Sequence, residues 1–236
     1  MQILMSRMRA AMEKYDMIAP GDRIAVGVSG GKDSVALLKG LAEMRRFYPV
    51  PYEITAITAD PCFHNAPTDY SAIEKLCSEL GIEYIIRRTE LYRVIFETRK
   101  ESNPCSLCAR MRRGILHDMT KEAGCNKLAL GHHADDAAET FMMNLLSGGT
   151  IGSFRPVTYL SRKDLTVIRP MIFASENEVE KAVRREELPV VKSECPMDKT
   201  SQRQTMKELI RSLEKDYPGL REKITGAMQR SGITGW

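Results

Sequence analysis

The sequence lacks long apolar segments and any sign of an export signal. No run of apolar residues approaches the roughly 18 that a membrane-spanning helix needs. The start, MQILMSRMRAAMEKYD, carries charges throughout and has no apolar signal-peptide core. Internal repeats and low-complexity segments are also absent. We therefore exclude a membrane-spanning, secreted or repeat protein and predict a cytoplasmic globular chain, with 43% hydrophobic and 28% charged residues among 236.

A strong net charge is missing too, but the basic residues are unevenly placed. The formal net charge is only +4 at pH 7. Residues 87–113, however, contain eight Lys or Arg against three acids, Glu90, Glu97 and Glu101. A local excess of this kind suits a polyanion such as RNA. A solvated helix face is the simpler alternative, and the charge run alone leaves it open.

Strand and helix patterns alternate through residue 148. Short apolar runs predict buried strands over 23–28, 53–59, 83–86 and 127–130, and a weaker pattern predicts one over 166–168. Apolar residues at helical spacing predict helices over 2–16, 33–47, 69–80, 91–98, 105–123, 134–146, 175–187 and 202–216. This alternation predicts an α/β fold with a doubly wound parallel sheet. We expect an N-terminal amphipathic helix over 1–20, the main domain over 21–195 and a short helical extension over 196–236.

A glycine-rich loop follows the first predicted strand but lacks the spacing of the common mononucleotide-binding loop. That loop reads Gly-x-x-x-x-Gly-Lys-Ser/Thr, whereas only three residues separate Gly27 from Gly31 here, and Asp33 replaces the magnesium-binding hydroxyl. Ligands of a doubly wound sheet bind beyond the carboxyl ends of its strands. Glycines there let the backbone approach a phosphate, and the next helix offers free amides. Phosphate binding of a different type is therefore predicted for Ser29-Gly30-Gly31-Lys32-Asp33-Ser34.

Polar residues also follow the second and fourth predicted strands, at the same edge of the sheet. Asp60 ends the second strand, where a turn residue is the simpler interpretation. The fourth strand leads through a His-His-x-Asp-Asp cluster into the next helix. The helix dipole favours an acid in a first turn, which accounts for one aspartate but not for the whole cluster. The candidate residues of this cluster are Gly131, His132, His133, Asp135 and Asp136.

Disulfides are not expected among the six cysteines of a cytoplasmic chain of this size. Cys105 and Cys108 lie three apart at a predicted helix start and so share one face. The helix dipole and three nearby arginines predict lowered thiol pKa values. Zinc, an iron–sulfur cluster or a disulfide relay would each suit this pair, and Cys195 is a candidate further ligand. Three cysteines on a [4Fe–4S] cluster would leave one iron open. Cys77 and Cys125 are interpreted as structural.

The glycine-rich loop resembles the pyrophosphate loop of the PP-loop (N-type) ATP pyrophosphatases. That family cleaves ATP between the α and β phosphates, adenylating a substrate oxygen before a nucleophile displaces AMP. The order of the motifs is more specific: the loop, then Cys-Ser-Leu-Cys, Arg-Arg-Gly-Ile-Leu and Gly-His-His-x-Asp-Asp, is similar to the tRNA 2-thiocytidine synthetase family. The resemblance covers nearly the whole chain. One departure is the late segment SECPMD, which has a single cysteine where the family often has a second.

This resemblance implies an ATP-dependent tRNA sulfurtransferase that adenylates the C2 oxygen of a cytidine, at position 32, and replaces it with sulfur delivered through an iron–sulfur cluster. ATP, Mg²⁺ and a [4Fe–4S] cluster are the implied cofactors. The implied partners are tRNA, a sulfur donor such as a cysteine desulfurase, and a second copy of the chain in a homodimer. The basic stretch over 87–113, with Lys199, Arg203, Lys207 and Arg211, would hold RNA phosphates.

Residue by residue, the resemblance implies three sets of site residues. Catalysis is assigned to Lys32, Asp33 and Asp60. ATP and magnesium are assigned to Ser29, Gly30, Gly31, Lys32, Asp33, Ser34, Gly131, His132, Asp135 and Asp136. The cluster is assigned to Cys105, Cys108 and Cys195.

Three alternatives fit parts of the same pattern. An enzyme like tRNA-isoleucine lysidine synthetase shares the loop and the His-His-x-Asp-Asp cluster but needs no cysteine trio. A thiolase acting on another RNA position or on a small molecule would use the same residues. A non-catalytic nucleotide-binding sensor with zinc or a cluster would keep the ligands but tolerate the loss of Lys32 and Asp33.

Overall fold

A six-stranded sheet carries helices on both faces. The computed structural model describes residues 1–100, 104–197 and 202–236. Within these ranges the strands are β1 (Asp22–Gly27), β2 (Tyr52–Asp60), β3 (Glu83–Arg88), β4 (Lys127–Ala129), β5 (Val157–Leu160) and β6 (Leu165–Ile168). The helices are α1 (Gln2–Lys14), α2 (Lys32–Met44), α3 (Ser71–Glu79), α4 (Pro104–Glu122), α5 (Ala134–Gly148), α6 (Glu176–Arg185), α7 (Gln202–Leu213) and α8 (Leu220–Ser231).

The strand order is β3-β2-β1-β4-β6-β5. Five strands are parallel, with Gly27 of β1 opposite Ile57 and Asp60 of β2 opposite Arg88, whereas β5 pairs antiparallel with β6. The order reverses at β1, because β2 lies on one side of it and β4 on the other. A crevice opens beyond the carboxyl ends of the strands at such a reversal, so the ends of β1 and β4 position the site.

The core has two layers because successive strand residues face opposite sides of the sheet. Ile24 and Val26 of β1 pack in the layer formed with α1, α2 and α6, whereas Ala25 packs with Met119 of α4 in the other. Helix α2 begins directly after the glycine-rich loop and buries one whole side in the first layer. This burial fixes the loop against the end of β1.

The predicted α/β class is confirmed, and every predicted strand and helix occurs with shifted ends. The stretch predicted as a short helix over 91–98 is π-helical over Arg93–Thr98. Among the strands and α-helices of the described ranges, two were not predicted: β5, whose Val-Thr-Tyr-Leu run is short and only half-buried, and α8, which follows a Pro-Gly loop signal.

The C-terminal helices α7 and α8 both pack on α5. The indole Nε1 of Trp236 donates to the carbonyl oxygen of Phe154 at 3.0 Å, which holds the last residues against the sheet domain. The domain boundaries after residues 20 and 195 stay a prediction. Among the helices of the described ranges, none has the length and apolar character to cross a membrane.

Candidate active site

The glycine-rich loop forms a tight turn between β1 and α2. Gly30 has a φ of +85°, a left-handed conformation that glycine adopts without strain, and Gly31 is extended at the start of α2. The hydroxyl of Ser34 accepts from the Ser29 N–H at 3.1 Å and donates to the Gly31 carbonyl at 2.8 Å, which closes the loop. No side chain caps the N-terminus of α2. The first amides of this helix are therefore available to an anion such as phosphate.

Lys32 belongs to a chain of charges that joins the loop to α6 and α7. Its ammonium contacts Asp33 at 2.8 Å and Glu176 at 3.1 Å, and Lys207 of α7 lies 2.6 Å from Glu176. Burial disfavours the charge on Lys32, but the two carboxylates outweigh it and raise its pKa. Burial also opposes the charge on Glu176, but Lys207 and Lys32 lower its pKa to about 2. Lys32 is therefore held charged beside the loop.

The segment after β4 packs directly on the glycine-rich loop. A Cβ on Gly131 would lie 3.0 Å from the backbone of Asp33, so a side chain there would displace the loop. His133 caps α5: its Nδ1 accepts the Asp136 N–H at 3.3 Å, and Asp136 accepts the His133 N–H at 3.0 Å. His133 Nε2 then lies 3.8 Å from Asp33 and 3.5 Å from Asp136. Two carboxylates beside the loop offer the oxygen ligands that Mg²⁺ prefers.

His132 is neutral and lies next to the same carboxylates. Its ring is 4.8 Å from that of Phe154, and its Nδ1 has no hydrogen-bond partner among the described residues. Burial lowers the pKa of His132 to about 4. Burial opposes the ionisation of Asp136, but the neighbouring His133, His132 and Arg203 lower its pKa nonetheless. Arg203 of α7 lies 3.1 Å from the Asp136 carboxylate, so this acid stays ionised.

These elements enclose a cavity of about 280 Å³ beyond the end of β1, the nucleotide cavity. Arg112 of α4 and Arg203 of α7 contribute cations to its wall. A cavity with two arginines beside a helix N-terminus suits a polyphosphate. The structure brings together six of the predicted site residues as lining of this cavity: Ser29, Asp33, Ser34, Gly131, His132 and Asp136.

Asp60 is fully buried at the end of β2 and does not line the nucleotide cavity. Its carboxylate accepts hydrogen bonds from the Cys62 N–H at 3.0 Å, the Thr68 N–H at 2.9 Å and the Thr68 hydroxyl at 3.0 Å. These three bonds order the segment that follows β2. The catalytic assignment of Asp60 stays a prediction; its contacts are those of a residue that positions this segment.

Asp135 lies beside a different cavity from its neighbour Asp136. Its carboxylate contacts Arg221 of α8 at 3.0 Å and accepts the Glu176 N–H at the start of α6 at 2.7 Å. It lines a cavity of about 480 Å³ between α1, α6 and α8, not the nucleotide cavity. Its assignment to the nucleotide stays a prediction, and its contacts join α5 to α6 and α8.

The three predicted cluster cysteines form one electrostatic group. Cys105 and Cys108 lie in the first turn of α4, and Cys195 lies in the segment after α6. Burial raises the pKa of Cys105 and of Cys108, and the charge of Cys195 raises both further. The prediction that the helix dipole and the arginines lower these pKa values is wrong, because burial outweighs the charge of Arg112 beside Cys108. Cys77 and Cys125 are buried, as expected of structural cysteines.

This set of soft donors fits an iron–sulfur cluster, whose usual protein ligands are cysteine thiolates. The raised pKa values of Cys105 and Cys108 mean that protons leave when iron binds, so binding is favoured at higher pH. Within the described ranges no three metal-ligating side chains are already grouped as a metal site.

Arg112 and Glu176 belong to the nucleotide site, but neither residue was assigned to that site from the sequence. Arg112 lies four residues after Cys108, and this helical spacing places both on one face of α4, a signal that was available. Arg112 has no carboxylate partner among the described residues. Glu176 meets Lys32 only through the tertiary fold, which no local pattern reveals. Lys199, predicted to hold RNA phosphate, lies outside the described residues.

The fold and the site together define a PP-loop nucleotide-binding enzyme with a group of thiols beside its nucleotide cavity. A profile of the PP-loop domain family (ATP_bind_3) matches residues 3–213. A tRNA-cytidine(32) 2-sulfurtransferase of Citrifermentans bemidjiense is 39% identical, over 94% of this chain and 88% of the relative. The enzyme of the same name from Syntrophotalea carbinolica is 41% identical, over 92% and 85%. The chain belongs to the tRNA-cytidine(32) 2-sulfurtransferase family.

A solved structure extends the likeness to three dimensions. The U34-tRNA thiolase NcsA from Methanococcus maripaludis, described with its [4Fe-4S] cluster, superposes with a TM-score of 0.77 at 29% identity, over 96% of this chain and 78% of NcsA. An NH3-dependent NAD synthetase from Campylobacter jejuni, with a TM-score of 0.51 at 16% identity, shares the fold alone. The predicted family and enzyme class are confirmed, and membership decides against the lysidine-forming alternative.

Proposed function

We propose that this chain is an ATP-dependent tRNA sulfurtransferase that converts the cytidine at position 32 to 2-thiocytidine. One observation carries the proposal: a hydrogen bond ties the nucleotide loop to the segment that leads to Cys195. The Val191 N–H donates to the Gly30 carbonyl at 2.9 Å, and Cys195 follows four residues later. Arg112 lines the nucleotide cavity and also acts on the charge of Cys108. ATP activation and sulfur transfer can therefore take place on one bound nucleotide.

The loop activates the cytidine through its charges. As the C2 oxygen attacks the α phosphate, negative charge moves to the departing pyrophosphate, where the amides of α2 and the ammonium of Lys32 stabilise it. Asp33 and Asp136 would supply oxygen ligands to the Mg²⁺ of Mg-ATP. When ATP binds, the ammonium of Lys32 contacts phosphate oxygens in place of the carboxylates of Glu176 and Asp33. Its positive charge therefore has a negative partner both before and after ATP binds.

Cys105, Cys108 and Cys195 would hold the [4Fe–4S] cluster, with one iron left without a protein ligand. When bound, the cluster would hold sulfide obtained from a sulfur donor, and this sulfide would replace the activated oxygen, which leaves with AMP.

The basic residues of α7 have two different roles: two of them belong to the nucleotide site and one is available to bind RNA. Arg203 and Lys207 contact Asp136 and Glu176 of the nucleotide site. Arg211 is exposed one turn further along α7 and remains the candidate for an RNA phosphate. A cysteine desulfurase as sulfur donor, a homodimer and a cytoplasmic location belong to this proposal and rest on the family resemblance.

Mass spectrometry of tRNA nucleosides from a strain that lacks the gene tests the proposal. We expect 2-thiocytidine to disappear on deletion and to return with the wild-type gene. The variant Lys32→Ala fails to restore it, whereas Lys75→Ala, an exposed lysine of α3, restores it fully. Persistence of 2-thiocytidine in the deletion strain would contradict the proposal, and loss of another thionucleoside would assign a different RNA position.

A further inference from the structure

A smaller cavity of about 160 Å³ adjoins the nucleotide cavity, and nothing in the proposed mechanism uses it. The two cavities share Ser29 of the glycine-rich loop and Arg112 of α4. The remaining wall comes from the segment after β2, with Phe63, Thr68 and Tyr70, and from residues 191–194. Cys195 follows this last segment directly, so the cavity adjoins both the nucleotide site and the segment that leads to the cysteine group.

The walls of this cavity are firmly held. Asp60, fully buried, anchors the segment after β2 through its bonds to Cys62 and Thr68. Phe63 and Tyr70 are buried at 7% and 6% exposure, so their rings are fixed. The opposite wall is fixed by the hydrogen bond from Val191 to Gly30. A cavity with rigid aromatic and polar walls is the kind of site that binds a small planar ligand.

We propose that this cavity, the acceptor pocket, binds the cytosine base that is thiolated, flipped out of the RNA. With a volume of about 160 Å³, the pocket has room for a single-ring base. Enzymes that modify a base commonly extrude it into a snug pocket with stacking aromatic or apolar walls. A base held there lies between the phosphates of ATP and the sulfur source, as the chemistry requires. The inference rests on the proposed function.

Glu194 gives the pocket a preference for cytosine. It is exposed and is the acid among the residues that line the pocket. A carboxylate accepts a hydrogen bond from the exocyclic amino group of cytosine, whereas uracil presents a carbonyl oxygen at that position, which a carboxylate repels. Arg112, which has no carboxylate partner among the described residues, is placed to bind a phosphate of the flipped nucleotide.

Binding of a short RNA tests the acceptor pocket independently of catalysis. The probe is an anticodon stem–loop with cytidine at the acceptor position, compared with the same stem–loop carrying uridine there. The full-length protein, prepared anaerobically with its cluster and with Mg²⁺ and an ATP analogue that cannot be cleaved between the α and β phosphates, is expected to prefer cytidine by about ten-fold. Glu194→Ala removes this preference, whereas Glu180→Ala, an exposed acid of α6, keeps it. A second variant, Phe63→Leu, weakens the binding of both stem–loops because it removes a stacking ring.

Wild-type preference for cytidine in Glu194→Ala, together with wild-type affinity of Phe63→Leu for both stem–loops, would overturn the acceptor pocket. The affinity for ATP is expected to be unchanged in both variants, since neither residue lines the nucleotide cavity. The visible absorption of each variant is measured alongside, because Glu194 directly precedes Cys195. The failure of the proposed function has a different signature: the wild-type protein would bind the stem–loop but form no 2-thiocytidine from it.

Discussion

At the scale of single residues, Gly30 has a left-handed backbone conformation and also lies in close contact with Val191. A Cβ there would lie 2.8 Å from the Cβ of Val191, in addition to the strain of a φ of +85°. Gly81 has a similar φ of +62° but open space around it. Gly81→Ala therefore measures the backbone strain alone, about 1–2 kcal/mol.

We expect Gly30→Ala to lower the free energy of unfolding by more than Gly81→Ala does, and to weaken ATP binding as well. Urea unfolding and ATP titration of the two variants measure both effects. Equal losses of stability in the two variants, with unchanged ATP affinity, would show that the contact between the loop and the segment before Cys195 does not matter.

Glu139 is a buried acid whose charge costs stability. It is only 4% exposed, and burial, followed by the nearby Asp136, raises its pKa to about 7 from the ordinary 4.5. Between these two values the folded protein binds the proton more tightly than the unfolded chain, so the stability contributed below pH 4.5 is lost as the pH rises through 7. Glu139→Gln removes this dependence.

Unfolding measured at pH 4 and at pH 8 tests this prediction. Relative to wild type, Glu139→Gln gains about 3 kcal/mol between the two conditions. The exposed Glu180→Gln on α6 shows no such gain. A gain as small in Glu139→Gln as in the control would mean that the Glu139 carboxyl does not titrate in this range.

At the scale of elements, α7 contributes a cation to the nucleotide site from outside the strand–loop–helix motif. Arg203 lines the nucleotide cavity and contacts Asp136 at 3.1 Å. Because hydrogen bonds to charged groups contribute about 1.5–3 kcal/mol, Arg203→Ala is expected to weaken ATP binding by roughly ten-fold or more. Arg211→Ala, on an exposed face of the same helix, leaves ATP affinity unchanged. Isothermal titration with ATP distinguishes the two variants. Equal ATP affinities of Arg203→Ala and Arg211→Ala would show that α7 does not contribute to the nucleotide site.

The elements also show where prediction from the sequence works. β1, its loop and α2 were predictable because β-branched runs, glycines and helical spacing are local signals. The α5 start was predictable for the same reason. The pairing of Lys32 with Glu176, the approach of Arg203 to Asp136 and the buried role of Asp60 were not, since each joins segments far apart in the chain. The thiol pKa values were predicted with the wrong sign because burial cannot be read from a charge pattern.

At the scale of the whole molecule, the cysteine group links two distant parts of the chain. Cys105 and Cys108 lie on α4, while Cys195 follows α6 and is tied to the glycine-rich loop through Val191. We expect anaerobically prepared protein to show broad visible absorption and to lose it in Cys195→Ala, whereas Cys77→Ala, at a buried structural position, retains it. Colourless wild-type protein with stoichiometric zinc would contradict an iron–sulfur cluster.

The central claim is that one site activates a cytidine with ATP and thiolates it. Its most direct measurement is nucleoside analysis of unmodified tRNA after reaction with the cluster-containing protein, Mg-ATP and sulfide. The account predicts 2-thiocytidine together with AMP, both lost in Lys32→Ala, and AMP without 2-thiocytidine in Cys195→Ala. Formation of 2-thiocytidine without ATP, or its undiminished formation by Lys32→Ala, would contradict the account.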